Sequence, residues 1–223
     1  MKPYILFFLL SSFLASSQTP VSKTLGEFSE LKVFDLINVE LVQSTENKIE
    51  ITGEDTSNVF VVQKNDLLKI KMDFNKSFNG NKTFVKLFYT KIDIIDVNEG
   101  AKVVSQSLFK QYELELKSQE GGEISVITDT KLLSIKSVTG GTIKVSGTTE
   151  SQNIKIRTGG IYEGASLQAI NSEIKIKAGG EADVKSSELI EVRIVAGGDL
   201  TIHGTPKTVK QINRIGGRVI YKD

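Results

Sequence analysis

The stretch TGGTIKVSGTTESQNIKIRTGG, residues 139–160, begins and ends with the same tripeptide. Between its two glycine pairs, apolar and polar residues alternate, a pattern typical of strands with one buried face. Glycine pairs return six times in the second half of the chain, at steps of 18 to 20 residues. They are Gly121-Gly122, Gly140-Gly141, Gly159-Gly160, Gly179-Gly180, Gly197-Gly198 and Gly216-Gly217. A fixed period of this size predicts a solenoid in which each repeat forms one coil.

Aligning the repeats on the first glycine places apolar residues in common columns. Five residues before it stand Leu116, Ile135, Ile154, Ile174 and Val192, and three after it stand Ile124, Ile143, Tyr162, Ala182, Leu200 and Val219. A coil of about 19 residues is too short for a βαβ unit, which needs roughly 30. One short strand before each glycine corner and another after it fit this length. The columns therefore predict an all-β solenoid with parallel stacking and a core of Ile, Leu and Val.

The N-terminal residues predict a secretory signal peptide at 1–17. Lys2 supplies a positive charge, residues 4–14 form a short apolar core, and Ala15-Ser16-Ser17 fits a cleavage site of small residues. The apolar run of about 11 residues is far below the roughly 20 needed to span a bilayer. We therefore expect an exported protein without a transmembrane anchor, in the periplasm or at the cell surface.

Composition excludes several kinds of site. The chain has 28 basic residues, 27 acidic residues, one His and no Cys, and signal cleavage removes only Lys2 from the charged residues. The resulting neutrality disfavours nucleic-acid binding, which depends on excess positive charge. Without Cys there are no disulfides, thiolate metal sites or lipid-modified cysteine. His203 is expected to be a surface residue, so we predict no metal and no cofactor.

The remaining sequence predicts one domain at 28–223 after a flexible polar lead-in at 18–27. Alternating runs within 28–100 are interpreted as early coils that cap one end of the stack, and 101–223 as the glycine-pair coils. Between two of the early runs, the polar stretch 75–82 predicts an exposed loop.

Two parts of the chain resemble the head GIN domain family of auto-transporter adhesins. They are the run KLFYTKIDIIDVNEGAKV at 86–103 with the glycine pairs that follow, and the opening strand pattern of Phe28, Leu31 and Val33. The resemblance covers about residues 25–222. It implies a single-stranded, right-handed parallel β-helix in an exported protein of a type common in Bacteroidetes. This family has no established activity, so it transfers no functional residues.

Seven cations form a candidate binding surface, which we name the basic strip. Five of them stand four residues before successive glycine pairs: Lys117, Lys136, Lys155, Lys175 and Arg193, with Arg157 and Lys177 close by. At a strand spacing of about 4.8 Å these like charges repel one another. Glu115, Glu173 and Glu191 are placed to relieve the outer coils only. The strip is therefore either a solvated surface or a site for an anionic polymer such as an envelope polysaccharide.

Two classes of function remain open from the sequence. The first is a non-enzymatic, adhesive or structural envelope protein that presents a long flat face. The second is a β-helical polysaccharide lyase or hydrolase, in which strip cations neutralise an acidic sugar. Such an enzyme also needs a general base. The sequence predicts an acidic face after the corner, formed by Glu163, Glu181, Asp183 and Asp199, and Glu163 or Asp183 is the candidate base. The short regular coils lack the long loops that build a catalytic groove, which favours the first class.

Overall fold

The computed structural model describes residues 20–213 and 215–222. It is an all-β solenoid of about 7 turns in which 68% of the residues form strands. This confirms the predicted fold class and the period of about 19 residues. The predicted signal peptide at 1–17 lies outside the described residues.

The strands divide into short ones near the N-terminus and long ones in the glycine-pair region. The first group is β1 Val21–Thr24, β2 Glu30–Val33, β3 Asn38–Gln43, β4 Lys48–Gly53, β5 Val59–Lys64, β6 Leu67–Met72, β7 Thr83–Tyr89 and β8 Ile94–Val97. The second group is β9 Lys102–Ser118, β10 Glu123–Val138, β11 Thr142–Arg157, β12 Ile161–Glu163, β13 Leu167–Lys177, β14 Glu181–Val195, β15 Asp199–His203, β16 Thr208–Asn213 and β17 Arg218–Lys222. Single 3-10 turns occupy Thr56–Asn58, Phe74–Lys76 and Gly80–Lys82.

The N-terminal strands β2 and β3 lie inside the stack of parallel strands and not at its end. Strand β2 lies between β6 and β8, and β3 lies between β7 and β9, all in parallel. Antiparallel strands then cover this end: β4 pairs with β7, β1 pairs with β4, and β5 forms a hairpin with β6. The stretch 18–27, predicted as a flexible lead-in, thus contains an ordered strand at Val21–Thr24, because its backbone pairs with the edge of β4.

In the first glycine-pair coils one long strand replaces the two short strands expected from the sequence. Strand β10 runs without interruption from the glycine corner around a wider bend near Lys131 and on to the next corner. It pairs in parallel with β11 at a constant offset from Glu123↔Thr142 to Val138↔Arg157. At the bend the register omits only Lys131 and resumes at Leu132↔Ser151, so the strand continues through it. Each coil is therefore a loop with one sharp corner and one wide bend.

The two glycines of a pair have different structural roles. At the corner between β10 and β11, Thr139 and Gly140 are both left-handed, with φ of 48° and 71°. A Cβ at Gly140 would meet no atom within 4 Å, so only the backbone conformation favours glycine there. At Gly141, which lacks a positive φ, a Cβ would lie 2.5 Å from the carbonyl oxygen of Ser118 in the preceding coil. The first glycine permits the turn, and the second permits close stacking.

One core column divides the corners into two kinds. Its members, in register from coil to coil, are Ser118, Ser137, Ile156, Ile176 and Ile194. The hydroxyls of Ser118 and Ser137 donate to the corner carbonyls of Gly122 and Gly141, both at 2.5 Å. Where Ile occupies the column, the second glycine of the following coil packs on that Ile and is left-handed. These glycines are Gly180, Gly198 and Gly217, with φ of 117°, 123° and 93°. We name these serine corners and isoleucine corners.

The core contains the apolar columns predicted from the repeats and a polar part that was not predicted. Ile124, Ile143, Tyr162, Ala182 and Leu200 stack in register and are buried. Toward the wide bend, buried hydroxyl and amide groups bond from coil to coil. Thr130 donates to Thr149 at 3.1 Å, and Gln152 Nε2 donates to Ser172 Oγ at 2.7 Å. These polar groups are satisfied inside the solenoid, as burial requires.

Candidate functional site

The structure brings the five principal cations of the basic strip into one outward column. Lys117 faces Lys136, Lys136 faces Lys155, Lys155 faces Lys175, and Lys175 faces Arg193 across parallel strand pairs. The flanking cations Arg157 and Lys177 also face each other, one coil apart. Because every second residue of a strand points to the same side, all seven side chains lie on one face of the solenoid.

Compensation by acids is uneven along this column. Lys117 lies 2.9 Å from Glu115 and Lys175 lies 2.5 Å from Glu173. Among the described residues, Lys136, Lys155 and Arg193 have no carboxylate oxygen within the 4.0 Å of an ion pair. Asn153, beside Lys155, donates instead to Glu173 at 2.9 Å. The middle of the strip thus carries positive charge that no neighbouring carboxylate neutralises.

An open groove of about 490 Å³ runs beside the strip toward the wide bend. Its lining includes Lys155, Glu173 and Glu191 together with the amide side chains of Asn153 and Asn171. Lys155 is the one cation in this lining, beside three carboxylates, so the groove offers mainly amide and hydroxyl groups to the hydroxyls of a sugar chain. Sequence alignment alone could not find this groove, because the wide bend that forms one side of it carries no glycine signature.

The face that follows the corner is less acidic than predicted. Glu163 is paired with Lys144 at 3.2 Å, and Asp199 accepts from Arg218 Nε at 2.9 Å. The Arg218 guanidinium holds the pKa of Asp199 below its usual range. The prediction counted acids alone and left out Lys144 and Arg218, which the coil register sets beside Glu163 and Asp199. Cations therefore flank these acids, whereas Glu163 faces Asp183 and Glu181 faces Asp199 in adjacent coils.

The single histidine lies on the same face. His203 Nε2 is 3.2 Å from Asp183 Oδ1, and both side chains are partly exposed. Within residues 20–213 and 215–222, no group of three or more His, Cys, Asp or Glu side chains could hold a metal ion. His203 thus takes part in a surface contact with one acid.

The residues required by the lyase hypothesis do not converge. Glu163 and Asp183 line a groove on the face after the corner, with Lys144 and Ser146. Lys155 lines the separate groove on the other face. The buried columns of Ile143 and Ile154 lie between these surfaces. A general base and the strip cations would have to act on one sugar, and this arrangement separates Glu163 and Asp183 from those cations.

The fold and its charged faces define a repetitive β-solenoid that presents stacked columns of side chains on two flat outer surfaces. A family model described as "Putative auto-transporter adhesin, head GIN domain" matches residues 27–206, and the chain belongs to this family. The resemblance found in the sequence is thereby confirmed. A comparison with curated proteins gives no match. In the described part of the chain, no helix has the length and apolar character needed to cross a membrane.

Solved structures share the fold along nearly the whole chain. A "putative adhesin" from Bacteroides fragilis has a TM-score of 0.82 at 20% identity, covering 92% of this chain and 96% of that one. A "putative adhesin" from Parabacteroides merdae has a TM-score of 0.69 at 19% identity, with the same coverage. A "putative lipid binding protein" from Parabacteroides distasonis has a TM-score of 0.65 at 16% identity, covering 93% and 98%. At these identities the likeness establishes the fold alone.

Proposed function

We propose that this protein is an exported, non-enzymatic component of the cell envelope, adhesin-like in action, whose basic strip binds anionic polysaccharide. The observation that carries the proposal is the in-register column of Lys136, Lys155 and Lys175, of which the first two have no acidic partner among the described residues. Export rests on the predicted signal peptide, and the adhesive role rests on the family. The absence of Cys agrees with a protein that is not lipid-anchored.

The spacing of the strip suits a polymer better than a small ligand. Cations that recur at about 4.8 Å can each contact one segment of a chain that carries repeated negative charge. Single exposed contacts of this kind contribute about 1 kcal/mol or less, so useful affinity requires several on one ligand. Binding should therefore grow with polysaccharide length and weaken steeply with salt.

Charge reversal tests the strip directly. The variant Lys136→Glu/Lys155→Glu/Lys175→Glu should lose at least about tenfold in affinity for acidic envelope polysaccharide, measured by glycan array and by titration calorimetry. The matched control is Lys23→Glu/Lys185→Glu/Lys222→Glu, which changes the net charge equally at three exposed lysines outside the strip. Equal binding by both variants would show that the strip is only a solvated surface.

The enzymatic alternative has its own assay. Purified protein incubated with uronate-containing polysaccharides should release neither unsaturated products nor new reducing ends, because the strip and the candidate bases lie on opposite faces. Product formation that disappears in Asp183→Asn or Glu163→Gln would overturn the non-enzymatic assignment. The same variants serve as binding controls, since neither residue belongs to the strip.

A further inference from the structure

Several large apolar side chains are exposed at the closed end of the solenoid. Phe74 and Phe78 stand in the segment between β6 and β7, with 90% and 61% of their surface exposed. Phe60 and Val62 of β5 are 48% and 45% exposed. Soluble proteins rarely leave apolar side chains of this size clustered in water unless the cluster binds something.

These side chains form one surface together with two lysines. In the β5–β6 hairpin, Phe60 lies opposite Lys71 and Val62 lies opposite Lys69, and directly opposed residues point to the same side. Lys69 Nζ lies 5.5 Å from the ring centroid of Phe34. A hollow of about 260 Å³ is lined by both lysines and by the rings from this loop. We name the set the phenylalanine–lysine patch: Phe34, Phe60, Val62, Lys69, Lys71, Phe74 and Phe78.

The loop that carries Phe74 and Phe78 is held in place by a buried carboxylate. Asp35 is only 4% exposed, and its two oxygens accept the backbone N–H groups of Met72 and Phe78, each at 3.0 Å. Phe78 itself is left-handed, with φ of 58°, a conformation that residues with a Cβ rarely adopt. Asp73 accepts from the N–H of Asn75 and fixes the short turn at Phe74. The backbone is thus preorganised to point both rings away from the core.

The charges of the patch favour an anionic partner. Within the described residues, neither Lys69 nor Lys71 has a carboxylate oxygen within 4.0 Å, although Asp35 and Glu99 also line the hollow. A projecting aromatic ring with lysines behind it is the arrangement by which peripheral proteins enter a lipid surface. The rings reach the boundary of the acyl chains, and the ammonium groups stay among the phosphates. The hollow is too small to enclose a whole lipid chain, which favours a surface over a single bound lipid.

We propose that the phenylalanine–lysine patch docks the closed end of the solenoid on a lipid surface that contains anionic phosphate headgroups. Phe74 and Phe78 enter the interface, and Lys69 and Lys71 contact the headgroups. Lys69 faces Lys32, and Lys32 faces Asp96. Asp96 in turn faces Lys117 of the basic strip, so Lys69 lies in the same outward column as the strip. Docking at this end leaves the strip accessible along the rest of the same face. The patch and the strip are separate sites, and either can fail without the other.

A tryptophan reporter tests the docking. Because the chain contains no Trp, the variant Phe74→Trp carries a single fluorophore at the patch. With vesicles of phosphatidylethanolamine and phosphatidylglycerol, its emission should shift to the blue and be quenched by brominated acyl chains. Tyr112→Trp, at an exposed position on the wide bend, should show neither effect. Phosphatidylcholine vesicles should bind more weakly, since they lack net negative charge.

Loss-of-binding variants provide the second measurement, by vesicle flotation. Phe74→Ser/Phe78→Asn should bind at least about tenfold more weakly, and Asn suits the left-handed position 78. Phe84→Ser/Tyr112→Ser removes two exposed aromatics outside the patch and should bind like the parent chain. Binding unaffected by the first variant, or no blue shift of Phe74→Trp with vesicles, overturns the proposal. A blue shift that instead grows with protein concentration and needs no lipid would identify a second copy of the chain as the partner.

Discussion

Tyr162 donates its hydroxyl hydrogen to Oε1 of Gln152, 2.7 Å away, in a part of the core that water does not reach. The Nε2 of Gln152 in turn donates a hydrogen bond to Ser172 in the next coil. The ring fits because the neighbouring inward position is Gly164, where a Cβ would lie 2.5 Å from it. One tyrosine thus fills the space of two side chains and links the apolar columns to the polar part of the core.

Removing this hydroxyl should destabilise the solenoid. In Tyr162→Phe the buried Oε1 of Gln152 loses its partner, and we expect the free energy of unfolding to fall by about 1–3 kcal/mol. Chemical denaturation followed by circular dichroism measures the change. Tyr112→Phe, at an exposed ring, should change stability by less than about 0.5 kcal/mol. Equal stabilities of the two variants would mean that water satisfies Gln152.

Alkaline pH should destabilise the fold through its buried tyrosines. Burial raises the pKa of Tyr89 to about 12 and raises the pKa of Tyr162 as well, from an ordinary value of 10.0. Below pH 10 both rings are neutral in the folded and unfolded chains, so this contribution to stability is complete. Above pH 10 the unfolded chain ionises first, and the contribution is lost as the pH rises toward 12. Denaturation curves across this range should be less pH-dependent for Tyr162→Phe than for Tyr112→Phe.

The two glycine roles predict two different responses to substitution. Gly140→Ala places a Cβ in a left-handed but open position and should cost about 1–2 kcal/mol. Gly141→Ala drives a Cβ against the Ser118 carbonyl and should cost about 3 kcal/mol or more, because the backbones of two coils must separate. Thermal unfolding of both variants gives the comparison.

Asparagine distinguishes the two causes at this corner. Gly140→Asn should recover part of the loss, since Asn adopts the left-handed region readily. Gly141→Asn should be no better than Gly141→Ala. Recovery at position 141 would show that conformation, and not contact, limits that site.

Repulsion within the basic strip predicts a stabilising substitution. Lys155→Glu turns two repulsive neighbours, Lys136 and Lys175, into attractive ones, and should raise the unfolding free energy by roughly 0.5 kcal/mol at low salt. The gain should vanish near 1 M salt, where charges are screened within about 3 Å. Lys144→Glu, which loses its pairing with Glu163, should show the opposite sign. A loss of stability in Lys155→Glu would mean that an acid compensates the strip in solution.

The buried carboxylate of Asp35 should be essential for the loop at the closed end. Asp35→Ala removes the acceptor of two backbone N–H groups, and we expect a loss of about 2–4 kcal/mol. Limited proteolysis should then cut near Phe78 first. Asp66→Ala, at an exposed turn, is the matched control and should leave the protease pattern unchanged.

The repeat determined how much of this structure was predictable. The glycine spacing predicted the coil length, the corners and the inward columns, because residues one period apart stack directly. Tyr221 continues the inward column of Val184 and Ile202 but is 60% exposed, since the described chain has no coil beyond it to cover the ring. The position of β2 between β6 and β8 was not predictable, because the early strands have no period. Phe74 and Phe78 were also missed as a site, although phenylalanines in and beside a polar loop are a usable signal.

The serine and isoleucine corners limit how a chain of this kind can lengthen or shorten. If a coil is duplicated beside a coil with the same kind of corner, each second glycine still packs on the residue type, Ser or Ile, that suits its backbone conformation. The serine corners meet the isoleucine corners at a junction marked by Gly180, which packs against Ile156 and Gly160. A duplication or deletion that crosses it would set a glycine over the wrong partner, and both coils would have to change together. Variation in coil number among related proteins should therefore accumulate on either side of this junction and spare the junction itself.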